Sequence, residues 1–192
     1  MAKLFGNLHL VLVVGLALAI GVMMCYADIA PINIGNVFHW LHVFFGILWI
    51  GLLYYLNFVQ VPTMPSVPAE LKKGVTGYIA PKVFFFFRYA ALLTVITGLV
   101  IAANAGYAHR ALTFAGATRA ENMIGLGMWL ALIMAFNVWF IIWPAQKKIL
   151  GIVDATDEEK AKAAPGALIA SRTNLLLSLA MIYCMVSANI NI

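Results

Sequence analysis

Apolar residues run almost without interruption through five stretches of the chain, at 8–27, 35–61, 83–104, 123–146 and 167–189, and polar residues, Pro and Gly collect between them. Each stretch is long enough to cross about 30 Å of hydrocarbon as a helix. None shows the two-residue alternation of a barrel strand, and a spanning chain must satisfy its backbone hydrogen bonds internally. The pattern predicts an all-α integral membrane bundle of five transmembrane helices, one domain covering 1–192. Between the helices, the segment from Pro62 to Pro81, with Pro65 and Pro68, is expected to be extended or turned, and Asp154 to Lys162 to form a short, exposed, charged helix.

Composition agrees with this pattern. Of 192 residues 64% are hydrophobic and 10% charged, and the mean hydropathy is +0.97, which excludes a soluble globule. The net charge of +5 would raise the question of nucleic acid in a soluble protein. Here it sets orientation, because Lys and Arg concentrate in cytoplasmic loops. A cytoplasmic N-terminus places Lys3, Lys72, Lys73, Lys82, Arg88, Lys147, Lys148, Lys160, Lys162 and Arg172 inside and leaves only Arg110 and Arg119 outside. The expectation is a multi-pass protein of the bacterial inner membrane whose partner is lipid, with no role for nucleic acid. Lys3, the apolar run from Leu10 and the stretch Cys25-Tyr26-Ala27 before Asp28 also have the form of a signal peptide; the presence of Met1 favours a retained helix. Cys25 and Cys184 are expected near the same side of the membrane, as two isolated buried thiols rather than a disulfide. The sequence has no Cys-x-x-Cys-His, phosphate loop or zinc pattern.

Polar side chains inside a bilayer are costly and mark function or contacts between helices. The second stretch concentrates them. Steps of three or four residues give His39, His42, Gly46, Trp49, Leu53, Asn57 and Gln60 on one face, which must point into the bundle. His39 and His42 lie toward the outer side, and Gly46 one turn deeper leaves room for a flat group. The pattern admits haem b held by imidazole with a second ligand from another helix; histidines hydrogen-bonded to neighbouring carbonyls fit it equally. His109 falls on the same outer side, so His39, His42 and His109 form a candidate metal set for copper, whereas His9 falls at the opposite surface. On the fifth stretch Asn174, Ser178, Met181 and Met185 form a stripe that reads as packing.

A second polar layer lies toward the inner side: Asn57, Gln60, Arg88, Asn137, Gln146, Arg172 and Asn174. These amides and guanidinium forks are candidates for binding a planar or anionic substrate. The alternative is that the arginines reach to lipid headgroups while the amides tie helices together. Trp143, Tyr78 and Tyr107 fall where interfacial aromatic belts are expected, and Phe84 to Phe87 reads as lipid-facing or packing. Trp49 differs, being mid-span on the polar face, where its indole needs a partner or flanks a cofactor.

The run His42-Val-Phe-Phe-Gly-Ile-Leu-Trp49-Ile-Gly51 resembles the opening of a group of small membrane proteins: the copper-resistance CopD-like proteins, the HemJ-type protoporphyrinogen oxidases and the membrane domain of bacterial membrane-bound urate oxidase. Together with His39-Trp40-Leu41, Asn137-Val-Trp-Phe-Ile-Ile-Trp-Pro144-Ala-Gln146-Lys147-Lys148 and Arg172-Thr173-Asn174 followed by Ser178, it is most similar to the last, over about residues 36–188. This resemblance implies an oxidoreductase scaffold, with His42 as axial ligand of haem b by likeness to the HemJ-type proteins. His39 or His109 would assist, and Trp49 would bridge the two polar layers. It also implies delivery of electrons to a cytochrome c or a larger membrane complex. The alternative role is a non-catalytic accessory subunit of a larger respiratory or copper-dependent enzyme.

Overall fold

The computed structural model describes residues 5–26 and 33–188; Lys3, the candidate cleavage point at Ala27 and Asp28, and Asn189 lie outside the described residues. Every regular element among the described residues is helical. These are α1 (Leu8–Tyr26), α2 (Ile34–Ser66), α3 (Ala69–Asn104), the short α4 (Ala108–Leu112), α5 (Arg119–Ile149) and α6 (Asp157–Ser187). All but α4 are long and apolar enough to cross a membrane.

The helices overrun the expected bounds, and the prolines explain how. The segment from Pro62 to Pro81 is mostly helix, broken only where Val67 and Pro68 turn extended. A proline ring clashes with the carbonyl four residues back and lacks the N–H that would bond to it. Ahead of Pro62, Pro81 and Pro144 the chain answers alike, widening into a π turn at Tyr55–Gln60, Val75–Ile79 and Asn137–Ile142. Each wide turn is closed by a bond spanning five residues, from the N–H of Val61, Ala80 and Trp143 to the carbonyls of Leu56, Val75 and Val138. The helices therefore absorb their prolines. Likewise Asp154 to Lys162 is not a separate helix: Thr156 and Glu159 form a capping box that starts α6. α6 then runs through Pro165, where Ala161 and its freed carbonyl lie in an exposed stretch.

α2 packs along α3 and α5 along α6, so the core consists of two helical hairpins laid side by side. α2 and α3 are antiparallel, with Gly35 beside Asn104 and His42 beside Gly98. Between the hairpins lie Trp49, Leu53, Phe87, Met134, Val138 and Met181, all buried. Ala80, Ala90 and Ala91 on α3 keep the backbones close, as small residues do where lipid supplies no hydrophobic drive. Phe84 and Phe87 pack inward while Phe85 and Phe86 face out. α1 contributes no buried residue to the candidate span, and its residues Leu16, Ala19, Ile20 and Met23 line an apolar groove with Val37, Trp40 and Leu41 of α2. Cys25 is exposed, Cys184 is buried, and both are free thiols.

Candidate functional site

At the end of the core that carries the histidines, the two hairpins part around a cavity of about 350 Å³, within the range of small-molecule and cofactor sites. His39 and His42 on α2, Thr94 and Gly98 on α3, Ile124 and Met128 on α5, and Met185 on α6 line it, with Tyr107 at its rim. His39, Val43, Leu99 and Val186 are both lining and exposed, so the cavity opens to the molecular surface. Its walls are otherwise apolar.

His42 is held in one orientation. Its Nδ1 lies 2.9 Å from the Thr94 carbonyl oxygen and 3.2 Å from Thr97 Oγ1. A carbonyl only accepts, so Nδ1 carries the proton and donates it. The Thr97 hydroxyl spends its own proton on the Leu93 carbonyl at 2.7 Å and is left as an acceptor. The lone pair is therefore on Nε2, which has no hydrogen-bond partner among the described residues. This is the tautomer that a metal-ligating histidine adopts, with its orientation set by the bond on the other nitrogen. Gly98 makes room for the ring, since a Cβ there would stand 2.8 Å from His42 Cε1.

The rim is built by the end of α3. Ala105 caps the helix, Gly106 takes φ +74°, and paired bonds from Tyr107 N–H to the Ala102 carbonyl and from Gly106 N–H to the Ala103 carbonyl turn the chain. That turn sets Tyr107 over the cavity. Burial and the charge of Glu121 push its phenol above the ordinary range. α4 is clamped behind it: no side chain fits at Gly125 against the Ala111 carbonyl, and Arg110 grips Glu121 with two hydrogen bonds at 2.9 and 3.1 Å.

The expected site residues divide. His39 and His42 both line the cavity, His39 at the mouth. His109 sits on the exposed face of α4 and does not line it. Among the described residues no three His, Cys, Asp or Glu side chains come together as a metal-holding group, so His39, His42 and His109 are not gathered. Gly46 faces Thr94, whose Cγ2 would be 3.9 Å from a Cβ, and serves the contact between α2 and α3. Trp49 is fully buried below the cavity and its Nε1 has no partner. Gly98, Thr94, Thr97, Tyr107 and the two methionines carry much of the site. Their one sequence signal is the polar pair Thr94 and Thr97 beside Gly98 in an otherwise apolar run.

The second polar layer is tied together by hydrogen bonds between helices. Asn137 Nδ2 donates to Asn174 Oδ1 at 2.8 Å, and Asn174 Nδ2 to the Met134 carbonyl at 3.0 Å, both buried. Asn57 Nδ2 bonds the Leu53 carbonyl and Ser171 Oγ, and Tyr54 meets Ser178 at 3.2 Å. Arg172 is exposed and reaches only the Asn57 carbonyl, at 3.5 Å. Arg88 lies over Trp143, 3.7 Å from its ring centroid, with Tyr89, Phe85 and Trp139 within 6 Å. Asn57 Oδ1, Gln60 Oε1 and Arg88 Nε and Nη1 are buried without hydrogen-bond partners among the described residues.

Fold and site together define a helical bundle with five helices long and apolar enough to cross a membrane and an oriented imidazole on the wall of an apolar cavity. Residues 83–192, more than half of the chain, match the family described as urate oxidase N-terminal, and the chain belongs to that family. The match includes the runs at Asn137–Lys148 and Arg172–Ser178; the histidines of α2 lie before it. No curated protein and no solved structure matches the chain.

Proposed function

We propose that this chain is a membrane electron-transfer protein of urate-oxidase type that carries haem b between its two hairpins. The observation that supports this is the orientation of His42, with Nδ1 bonded to the Thr94 carbonyl and Nε2 free on the wall of an apolar cavity. The residues fit a flat, largely apolar group carried on one imidazole: the walls are aliphatic, and Gly98 leaves the ring room. Haem bound there supplies one-electron transfer. The chain would contribute the ligating nitrogen of His42, its fixed tautomer and apolar walls, with Tyr107 at the entrance. The cytoplasmic N-terminus expected from the distribution of Lys and Arg puts this cavity toward the outer side of a bacterial inner membrane, where a cytochrome c or a larger complex takes the electron. Urate, the molecule in the family's name, is the proposed electron source, with the guanidiniums and amides of the second layer as the groups closest to it in chemistry.

The test is a reduced-minus-oxidised visible spectrum of the purified protein. A Soret band at one haem per chain is the expected result. Its absence after expression with haem supply overturns the reading. A second reading, an accessory subunit of a larger membrane enzyme, draws on α1, whose candidate span is wholly unburied. Native electrophoresis after mild solubilisation separates the two, since a lone band at 21.0 kDa plus detergent argues against the subunit.

A further inference from the structure

The haem reading leaves the second axial position open, and the cavity narrows the choice. Two ligands on opposite faces of a flat ring must come from opposite walls. His39 is three residues from His42, on the same side of the same helix, and it sits exposed at the mouth. His109 does not line the cavity. His42 is seated on the hairpin of α2 and α3, with its ring against Gly98. The facing wall is the hairpin of α5 and α6, where Met128 and Met185 are the lining residues with a donor atom suited to iron. Met128 is buried with Ala102 and Ala111, and Met185 packs against the same cluster. Met185 is only half-buried and lies over Gly127, where a Cβ would come within 3.0 Å of its Cε and 3.6 Å of its Sδ. Each candidate ligand thus rests on a glycine of the neighbouring helix in its own hairpin, His42 on Gly98 and Met185 on Gly127.

We propose that Met185 Sδ is the second axial ligand of the haem carried by His42, so that the cofactor joins the two hairpins. This rests on the haem reading above. A thioether opposite an imidazole raises the reduction potential relative to two imidazoles, which suits a carrier that accepts electrons from a weakly reducing organic substrate. It also gives the methionine stripe of α6 two parts: Met181 is buried in the core, whereas Met185 faces the cavity.

The experiment uses the full chain in detergent with haem bound, and reads absorption and electron paramagnetic resonance spectra and the midpoint potential. Wild type is expected to be six-coordinate and low-spin in both oxidation states. Met185→Leu, which keeps the bulk over Gly127, is expected to retain haem through His42, turn high-spin, bind carbon monoxide when reduced and titrate at a lower potential. Met185→His is expected to restore the low-spin state, also at a lower potential than wild type. Met128→Leu is expected to remain six-coordinate and low-spin. A low-spin Met185→Leu overturns the proposal, as does a high-spin form appearing in Met128→Leu instead. Wild-type protein without haem overturns the functional reading itself, a different result from haem retained with an unaltered ligand field.

Discussion

The amides of α2, α5 and α6 and the histidines of α2 occupy opposite ends of the same four-helix core, and the protein treats them differently. Asn137, Asn174, Asn57, Ser171, Tyr54 and Ser178 bond one another or backbone carbonyls, in part across helix boundaries. At the other end His42 uses one nitrogen to bind its neighbouring helix and keeps the other free beside an open volume. Polar groups in a bilayer can serve as adhesive or as chemistry. What separates the two ends here is the setting of their spare valences: His42 Nε2 stands on the wall of a cavity, whereas Asn57 Oδ1 and Gln60 Oε1 are buried without a partner among the described residues.

That contrast can be broken by mutation. The largest effect is expected from His42→Ala, which should remove the haem spectrum while the protein remains inserted and monodisperse on size exclusion; His9→Ala, remote on α1, should leave the spectrum intact. Gly98→Ala comes next. Its Cβ would press on His42 Cε1 at 2.8 Å and turn the ring off its carbonyl, lowering haem affinity by roughly 10- to 100-fold, as loss of an orienting partner does, measurable by haem titration. At the amide end the effect should fall on stability instead. Asn174→Leu strands Asn137 and the Met134 carbonyl, and should cost about 1–2 kcal/mol in a reversible unfolding titration with the haem spectrum unchanged. His109→Ala should be the mildest, within about 0.5 kcal/mol and with full haem occupancy, because the residue is exposed. A spectrum lost in Asn174→Leu, or kept in His42→Ala, would collapse the distinction between the two ends.

Hydropathy sufficed to find the five long helices, because twenty apolar residues in a row leave few alternatives. Their ends were not legible. Pro62, Pro81 and Pro144 read as breakers, yet the helices widen by one residue per turn and continue; only Pro68, beside an extended Val67, interrupts. The histidine face of α2 was visible in the spacing of His39 and His42, since both ligand candidates of one helix obey its period. Tyr107, Gly98, Met128 and Met185 were not, because they reach the cavity from separate elements through a helix-ending turn and through contacts far apart in the chain. Arg88 and Arg172 read as members of one pocket with the asparagines. In the structure Arg88 lies against Trp143, while Arg172, exposed on α6, reaches the Asn57 carbonyl.

The three wide turns also bear on how such a chain tolerates changes in length. Within a regular helix, losing one residue swings everything beyond it by about 100°, so a deletion at Ile47 would carry His42 and Trp49 onto different faces. A π turn already holds one residue more than an α turn needs. A deletion inside Tyr55–Gln60 or Asn137–Ile142, made together with replacement of the following proline, would let the turn relax to ordinary helix while both flanks keep their inward faces. These segments act as expansion joints: the helices can shorten there without rotating the residues that face the cavity.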